Sequence, residues 1–250
     1  MITLYDIPAQ VPGKSFSPNT FKARLAIAFK GLTFKTEYIE MPDIEARMKE
    51  IGAEPTTTKP DGSPKYTLPV IYDDATGKVV SDSLKIAEYL EVTYPDTPSL
   101  FPGGAHAPMH LFSDYFFPTV IKPAFFVFLS NIVFRFTPRG LENMRETREP
   151  IFKKTLEEVV PKGEAREAML AATKAEFSKL AAMYAANGEP KAYFLGDVPS
   201  YADLIVVSFL IWIKLGFGEE HSDWKMISEK WDGGRWGKLL KVLEQFDVRT

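Results

Sequence analysis

Three short stretches of the chain hold residue types suited to a charged, extended small molecule. In the first, Ser17, Pro18 and Asn19 stand where the strand-like run ITLYDI gives way to a helical pattern. A helix start presents N–H groups that lack intrahelical acceptors, together with the positive end of the helix dipole, so it favours an anion. In the second, Pro69 interrupts the strand pattern YTLPVIYDD. Proline inside a strand fits an edge or a cis bond, and either would turn the Leu68 N–H and C=O toward an extended, peptide-like ligand. In the third, Asp82 and Ser83 mark another strand-to-helix junction. Ser83 and the adjoining N–H groups suit a carboxylate, and Asp82 suits an ammonium. Each stretch also has a plainer use: Ser17 and Asp82-Ser83 as helix caps, Pro69 as an edge residue. Together they should fall at one end of a single small sheet, where ligand sites of α/β domains form.

The chain supplies no reactive thiol, because it has no cysteine. That excludes disulfides and thiolate metal sites. Of the three histidines, His106 and His110 are spaced i, i+4, but Pro108 lies between them and no third ligand is near, so no metal site is expected. A net charge of -3 carries no basic footprint for nucleic acid. The longest apolar run, LIVVSFLIWI, is shorter than the roughly 20 residues that cross a bilayer. Met1 leads into ITLYDI without a secretory pattern, so the expected location is cytoplasmic, with no membrane partner.

The elements that must position these residues can be read from periodicity. Residues 2–7 alternate as a strand, and Ser17 and Pro18 open a helix over 18–30 with Phe21, Leu25, Ala28 and Phe29 on one face. Strand 34–41, helix 43–52, a polar loop, strands 66–74 and 77–82 around Gly77, and helix 83–94 complete a βαβαββα order. The first three strands alternate with helices, which suggests a parallel crossover; the last two suggest an antiparallel hairpin. A Pro/Gly-rich linker spans 95–106. An all-helical domain is expected over 107–250, with helices in REPIFKKTLEEVV, GEAREAMLAATKAEFSKLAAMYAA and the uniformly apolar SYADLIVVSFLIWIKLG. The fold class is therefore an α/β domain, residues 1–94, followed by an all-α domain.

SPNTFKARLAIAFKG, TLPV and SDSLKIAEYL, in this order, resemble the thioredoxin-like domain of cytosolic glutathione transferases, and FLGDVPSYADLIVV resembles that family's second-domain capping segment. The resemblance spans nearly the whole chain. It implies glutathione as co-substrate and Ser17 as the hydroxyl that stabilises the glutathione thiolate in the serine-type classes. Ser15 and Asn19 are alternative donors, because the segment IPAQVPGKSF is longer than the turn of many members; Tyr5, the strand tyrosine of other classes, reads better as core. The resemblance also implies a glutathione site at Leu68, Pro69, Asp82 and Ser83, with Lys59 or Lys65 for the glycyl carboxylate, and a homodimer. DDATG followed by KVVSDSLKIAEYLE is similar to a fungal branch related to bacterial β-aryl etherases.

LFSDYFFPTVIKPAFFVFLS concentrates aromatic rings that suit flat apolar ligands, with core packing as the competing use. Tyr115, Phe116, Phe125 and Phe126 are the candidate acceptor-site residues, and Phe16 beside the serine corner is a further one. Two functions stand open: an enzyme that adds glutathione to aromatic electrophiles or cleaves aromatic ethers with it, or a protein that binds small aromatic compounds with little catalysis.

Overall fold

In the computed structural model, residues 1–188 and 191–249 are described. The chain divides into two compact units. Unit 1 holds residues 1–100 with 137–143 and 246–249; unit 2 holds 101–136 and 144–245. The two late segments of unit 1 depart from the expected boundary at 94. They are fixed by contacts far apart in sequence, such as Thr137 donating to Glu40 (2.7 Å) and the Phe246 ring standing edge-on to Phe29 at 5.3 Å.

Unit 1 runs β1 (Ile2–Asp6), α1 (Pro18–Phe29), β2 (Phe34–Tyr38), α2 (Ile44–Glu50), β3 (Thr57–Thr58), β4 (Pro64–Lys65), β5 (Val70–Asp73), β6 (Lys78–Ser81) and α3 (Ser83–Thr93). The main sheet has the order β2-β1-β5-β6. β1 and β2 are parallel, as the crossover through α1 predicts. β5 is antiparallel to β1. The polar loop contributes the small β3–β4 ladder, formed by two-residue strands too short for periodicity to show. One face of the sheet packs Tyr5, Leu68 and Val70 with Ile39, Met48 and Ala53.

Helix α1 is buried on more sides than its pattern predicts, and the enclosed residues include Thr20 and Arg24. Arg24 and Asp6 form an ion pair at 2.9 Å with both side chains fully shielded from solvent. Neighbours supply most of the remaining polar partners that such a pair needs, although the buried Arg24 Nε has none among the described residues. Asp6 accepts from the Thr20 hydroxyl (2.5 Å) and the Ile7 N–H (2.7 Å). Arg24 donates to Ser15 Oγ (2.7 Å), Thr36 Oγ1 (3.1 Å) and the Val248 carbonyl (2.7 Å).

Unit 2 is helical: α4 (His106–Tyr115), α5 (Phe125–Ile132), most of α6 (Pro138–Phe152), α7 (Gly163–Ala185), α8 (Tyr201–Phe217), α9 (Ser222–Lys225) and α10 (Arg235–Leu243). α8 is its enclosed central helix, as its uniform apolarity predicts. Ser200 and Asp203 form the expected capping box, with Asp203 accepting from the Ser200 N–H and Oγ at 2.8 Å each. Gly216 allows α8 to approach α5, since a Cβ there would lie 2.2 Å from Ile132 Cγ1. The expected helix over 148–160 stops at Phe152, where Lys153 takes a positive φ of 54°. A local turn follows, in which Thr155 and Glu158 bond each other reciprocally. The helical path from His106 to Leu129 is long and apolar enough, by length and composition, to cross a membrane. Proline-containing turns at 116–124 interrupt it.

Replacing Arg24 with Met strands the Asp6 carboxylate in the interior, so we expect a loss of about 3–5 kcal/mol in urea denaturation, most of it recovered when Asp6 is also made Leu. A pH effect follows from Asp73. Burial pushes its carboxyl up, but hydrogen bonds from Tyr89, Tyr94 and the Ala75 N–H outweigh this and hold it below the ordinary value of 3.8. The stabilisation is therefore complete above that value and is lost as pH falls through the lower folded value. The denaturation midpoint of Asp73→Asn should vary less with acidification below pH 4 than that of the wild type.

Candidate functional site

The three stretches singled out in the sequence meet at one end of the main sheet. β1 carries Tyr5 opposite Val70, immediately after Leu68-Pro69. Val70 in turn lies opposite Ser81, immediately before Asp82. The Asp82 N–H donates to the Pro69 carbonyl at 3.2 Å, joining the second and third stretches directly. The first is tied to β1 through Thr20, whose hydroxyl donates to Asp6 (2.5 Å) and lies 3.0 Å from the Ser17 carbonyl.

Ser17 occupies the N-cap of α1 with extended backbone angles, and Pro18 takes the first helical position. Its hydroxyl makes no capping bond, so the side chain does not do what the plainer reading assigned to it. The first-turn amides of Asn19 and Thr20 lack intrahelical acceptors by helix geometry. Ser17 is half-buried and Asn19 exposed. Ser15 is placed differently. It is fully buried, and its oxygen receives Arg24 and meets Tyr38 Oη at 3.0 Å. Ser15 is thus a member of the interior polar network. Tyr5 is core, as expected, with its phenol pushed up by burial.

The Leu68–Pro69 bond is cis. Among the described residues, the Leu68 N–H and C=O have no hydrogen-bond partner. Asp82 is the N-cap of α3: its Oδ1 accepts from Leu84 N–H (2.9 Å) and Lys85 N–H (3.2 Å). The capping use falls on Oδ1 alone, and the residue is half-buried. Asp82 has φ 83°, a region that L residues adopt at a cost of about 1–3 kcal/mol and that recurs at functional sites. Ser83, just beyond it, is buried.

Sequence reasoning missed Lys22, which faces Asp82 from α1. Desolvation lowers its ammonium to about 8, with the Asp82 carboxylate opposing the shift. Its place in an amphipathic run gives no hint of this. Lys59, expected as a loop cation, is paired with Glu45 at 2.7 Å. Hydrogen bonds from Lys49 and Lys59 hold that carboxyl down to about 2. Lys65 is exposed on β4.

In unit 2 the aromatic run forms a continuous set of ring contacts. Phe117 stands edge-on to Phe125 (5.8 Å), Phe125 to Phe126 (5.8 Å), and Phe126 to Phe152 (5.3 Å), while Phe125 stacks on Trp212 at 6.2 Å. Tyr115, Phe125 and Phe126 are half-buried. Phe116 is not available to a ligand: it is fully enclosed against Phe112 and Phe209. Pro118 has no N–H for the helical ladder, and the wider turn over Phe116–Ile121 shifts the register, so that Phe117, 41% exposed, presents the surface instead. Phe16 is likewise fully buried, which corrects its candidacy as a ligand contact.

Comparison with known proteins bears on both units. Residues 16–93 match the family "Glutathione S-transferase, N-terminal domain", and residues 107–246 match "Glutathione S-transferase, C-terminal domain". The chain is 33% identical over 221 residues to the glutathione S-transferase-like protein ustS of Aspergillus flavus, covering 83% of this chain and 78% of that protein. It is 42% identical to the glutathione S-transferase CsGST63524 of Ceriporiopsis subvermispora, solved in complex with glutathione, with a TM-score of 0.93 over 99% of this chain and 98% of the other. Against glutathione transferase GSTFuA3 of Phanerochaete chrysosporium the identity is 40%, the TM-score 0.92 and the coverage 99% and 97%. With both halves matched and the thioredoxin-like and helical units in place, the chain belongs to the glutathione S-transferase family.

Proposed function

We propose that this transferase is of the serine type and that Ser17 donates its hydroxyl hydrogen to the thiolate of bound glutathione. The observation that carries this reading is the Ser17 side chain: half-buried, at the N-terminus of α1, and making no capping bond. A cysteine thiol titrates near 8.5, and a helix N-terminus with a hydroxyl donor lowers such a group into the range of roughly 3.5–7.5. Two units correspond to about 2.7 kcal/mol, enough to make the thiolate the main species near neutrality.

The rest of glutathione follows the sheet end. The Leu68 N–H and C=O pair with its cysteinyl backbone. Ser83, through its hydroxyl and its own N–H, holds the γ-glutamyl carboxylate, and Asp82 holds the ammonium. Lys65 takes the glycyl carboxylate, and Lys59 can do so by exchanging Glu45 for the ligand. The thiolate sulfur then attacks an electrophilic carbon of an aromatic substrate; with an aryl ether, the C–O bond breaks and the aryloxide leaves to take a proton from solvent. Tyr115, Phe117, Phe125 and Phe126 supply the aromatic surface for the acceptor. A second reading, a binder of aromatic compounds with weak catalysis, is favoured by the extent of the ring contacts around Phe125. We place the protein in the cytoplasm as a homodimer.

Ser17→Ala should raise the bound-thiol pKa by about one to two units, the worth of one hydrogen bond to a charged group, while Ser17→Thr retains most of the shift. Thiolate absorbance of the glutathione complex against pH reads this directly; an unchanged curve in Ser17→Ala removes Ser17 from the chemistry. Ser15→Ala separates the two serines. It should lower stability by roughly 1–3 kcal/mol in denaturant, by leaving Arg24 short of an acceptor, with a smaller effect on the thiol than Ser17→Ala.

A further inference from the structure

The Ser17 corner is approached by a loop, residues 8–16, held on one side by the Arg24 network. What holds it on the other side comes from the far end of the sequence. Arg249 Nη1 donates to the Pro12 carbonyl at 2.9 Å, and its guanidinium lies over the Phe21 ring, 5.2 Å from the centroid. Asp247 pairs with the same guanidinium and fixes its direction. The Arg249 stem packs against Gly13 so closely that a Cβ there would fall 2.5 Å from Arg249 Cδ, and Gly13 holds φ 73°, where glycine is favoured. Next to it, the Val248 carbonyl accepts from Arg24 Nη1 (2.7 Å), and this guanidinium also grips Ser15 and Asp6.

We propose that residues 246–249 form a strap that positions the serine corner. Arg249 closes loop 8–16 from outside, and the Val248 carbonyl holds Arg24 from inside. Arg249 and Val248 act through the loop rather than on glutathione, so they are positioning residues. The Val248 side chain itself is 41% exposed, so beyond the Phe246 ring on Phe29 the strap is latched by the Val248 carbonyl and by Arg249. The proposal rests on the reading of Ser17 as thiolate donor.

The test uses the full chain, Arg249→Ala and a chain ending at Gln245, with Ser17→Ala alongside. Amide exchange over residues 9–15 should accelerate in both tail variants, since Ala9, Lys14 and Ser15 donate within that loop. The bound-thiol pKa should rise by about half a unit or more, which lowers the thiolate fraction and the rate at pH 6.5 roughly twofold, with recovery above pH 9. The glutathione dissociation constant should stay within about twofold, because the strap touches no proposed ligand contact. If the truncated chain fails to fold, Arg249→Ala carries the test. Unchanged thiol titration in Arg249→Ala, in a background where Ser17→Ala does shift it, overturns the strap and leaves Ser17 standing. No shift in Ser17→Ala overturns the Ser17 reading itself.

Discussion

The ion pair between Arg24 and Asp6 is the constraint on which unit 1 depends. Two charges without access to water are costly, and mutual attraction alone does not offset the loss of hydration. Each therefore recruits neighbours from a different part of the chain: the Thr20 hydroxyl from α1, Ser15 from the connecting loop, Thr36 from β2 and the Val248 carbonyl from the tail. The network fixes the end of β1 against the start of α1, which is where the serine corner stands. A functional side chain carried on rigid elements with a satisfied surrounding shell is held more tightly than one on a free loop.

This arrangement also sorts the candidate hydroxyls. Ser15 and Ser17 are two residues apart and indistinguishable by type. One is enclosed and bonded to a guanidinium; the other sits at the helix start without a capping bond. Across the sheet end, Asp82 repeats the theme with a different balance. Its backbone is held at φ 83° by the Pro69 carbonyl on one side and by its own capping of α3 on the other. Two helix N-termini and one cis-proline edge thereby meet, which no single element could provide.

Much of this was legible in the sequence, and the failures have physical causes. Helices α1, α3, α7 and α8 follow from periodicity and caps, and the Ser200–Asp203 box from four residues read in place. Leu68-Pro69 stood out because proline is foreign to a strand interior. What escaped depended on distance in sequence or on register. The burial of Arg24 leaves no local signal, since its partners lie on other elements. Residues 137–143 and 246–249 join unit 1 by contacts that no local pattern records. The wide turn after α4 exchanged the expected Phe116 for Phe117, because one added residue turns a helix face by about 100°. The positive φ of Lys153 ends a helix that composition alone would continue.

The uncapped Ser17 hydroxyl has a consequence for how such a protein can change over time. Helix α1 begins with Pro18 and is anchored through Thr20 and Arg24, so its folding does not call on the Ser17 side chain. The position is structurally permissive, and on the proposed reading it is the one that meets the thiolate. A single codon change there can exchange an alcohol for a thiol or a methyl group without disturbing the helix. Descendants of one scaffold could in this way move between reaction types at little cost to folding.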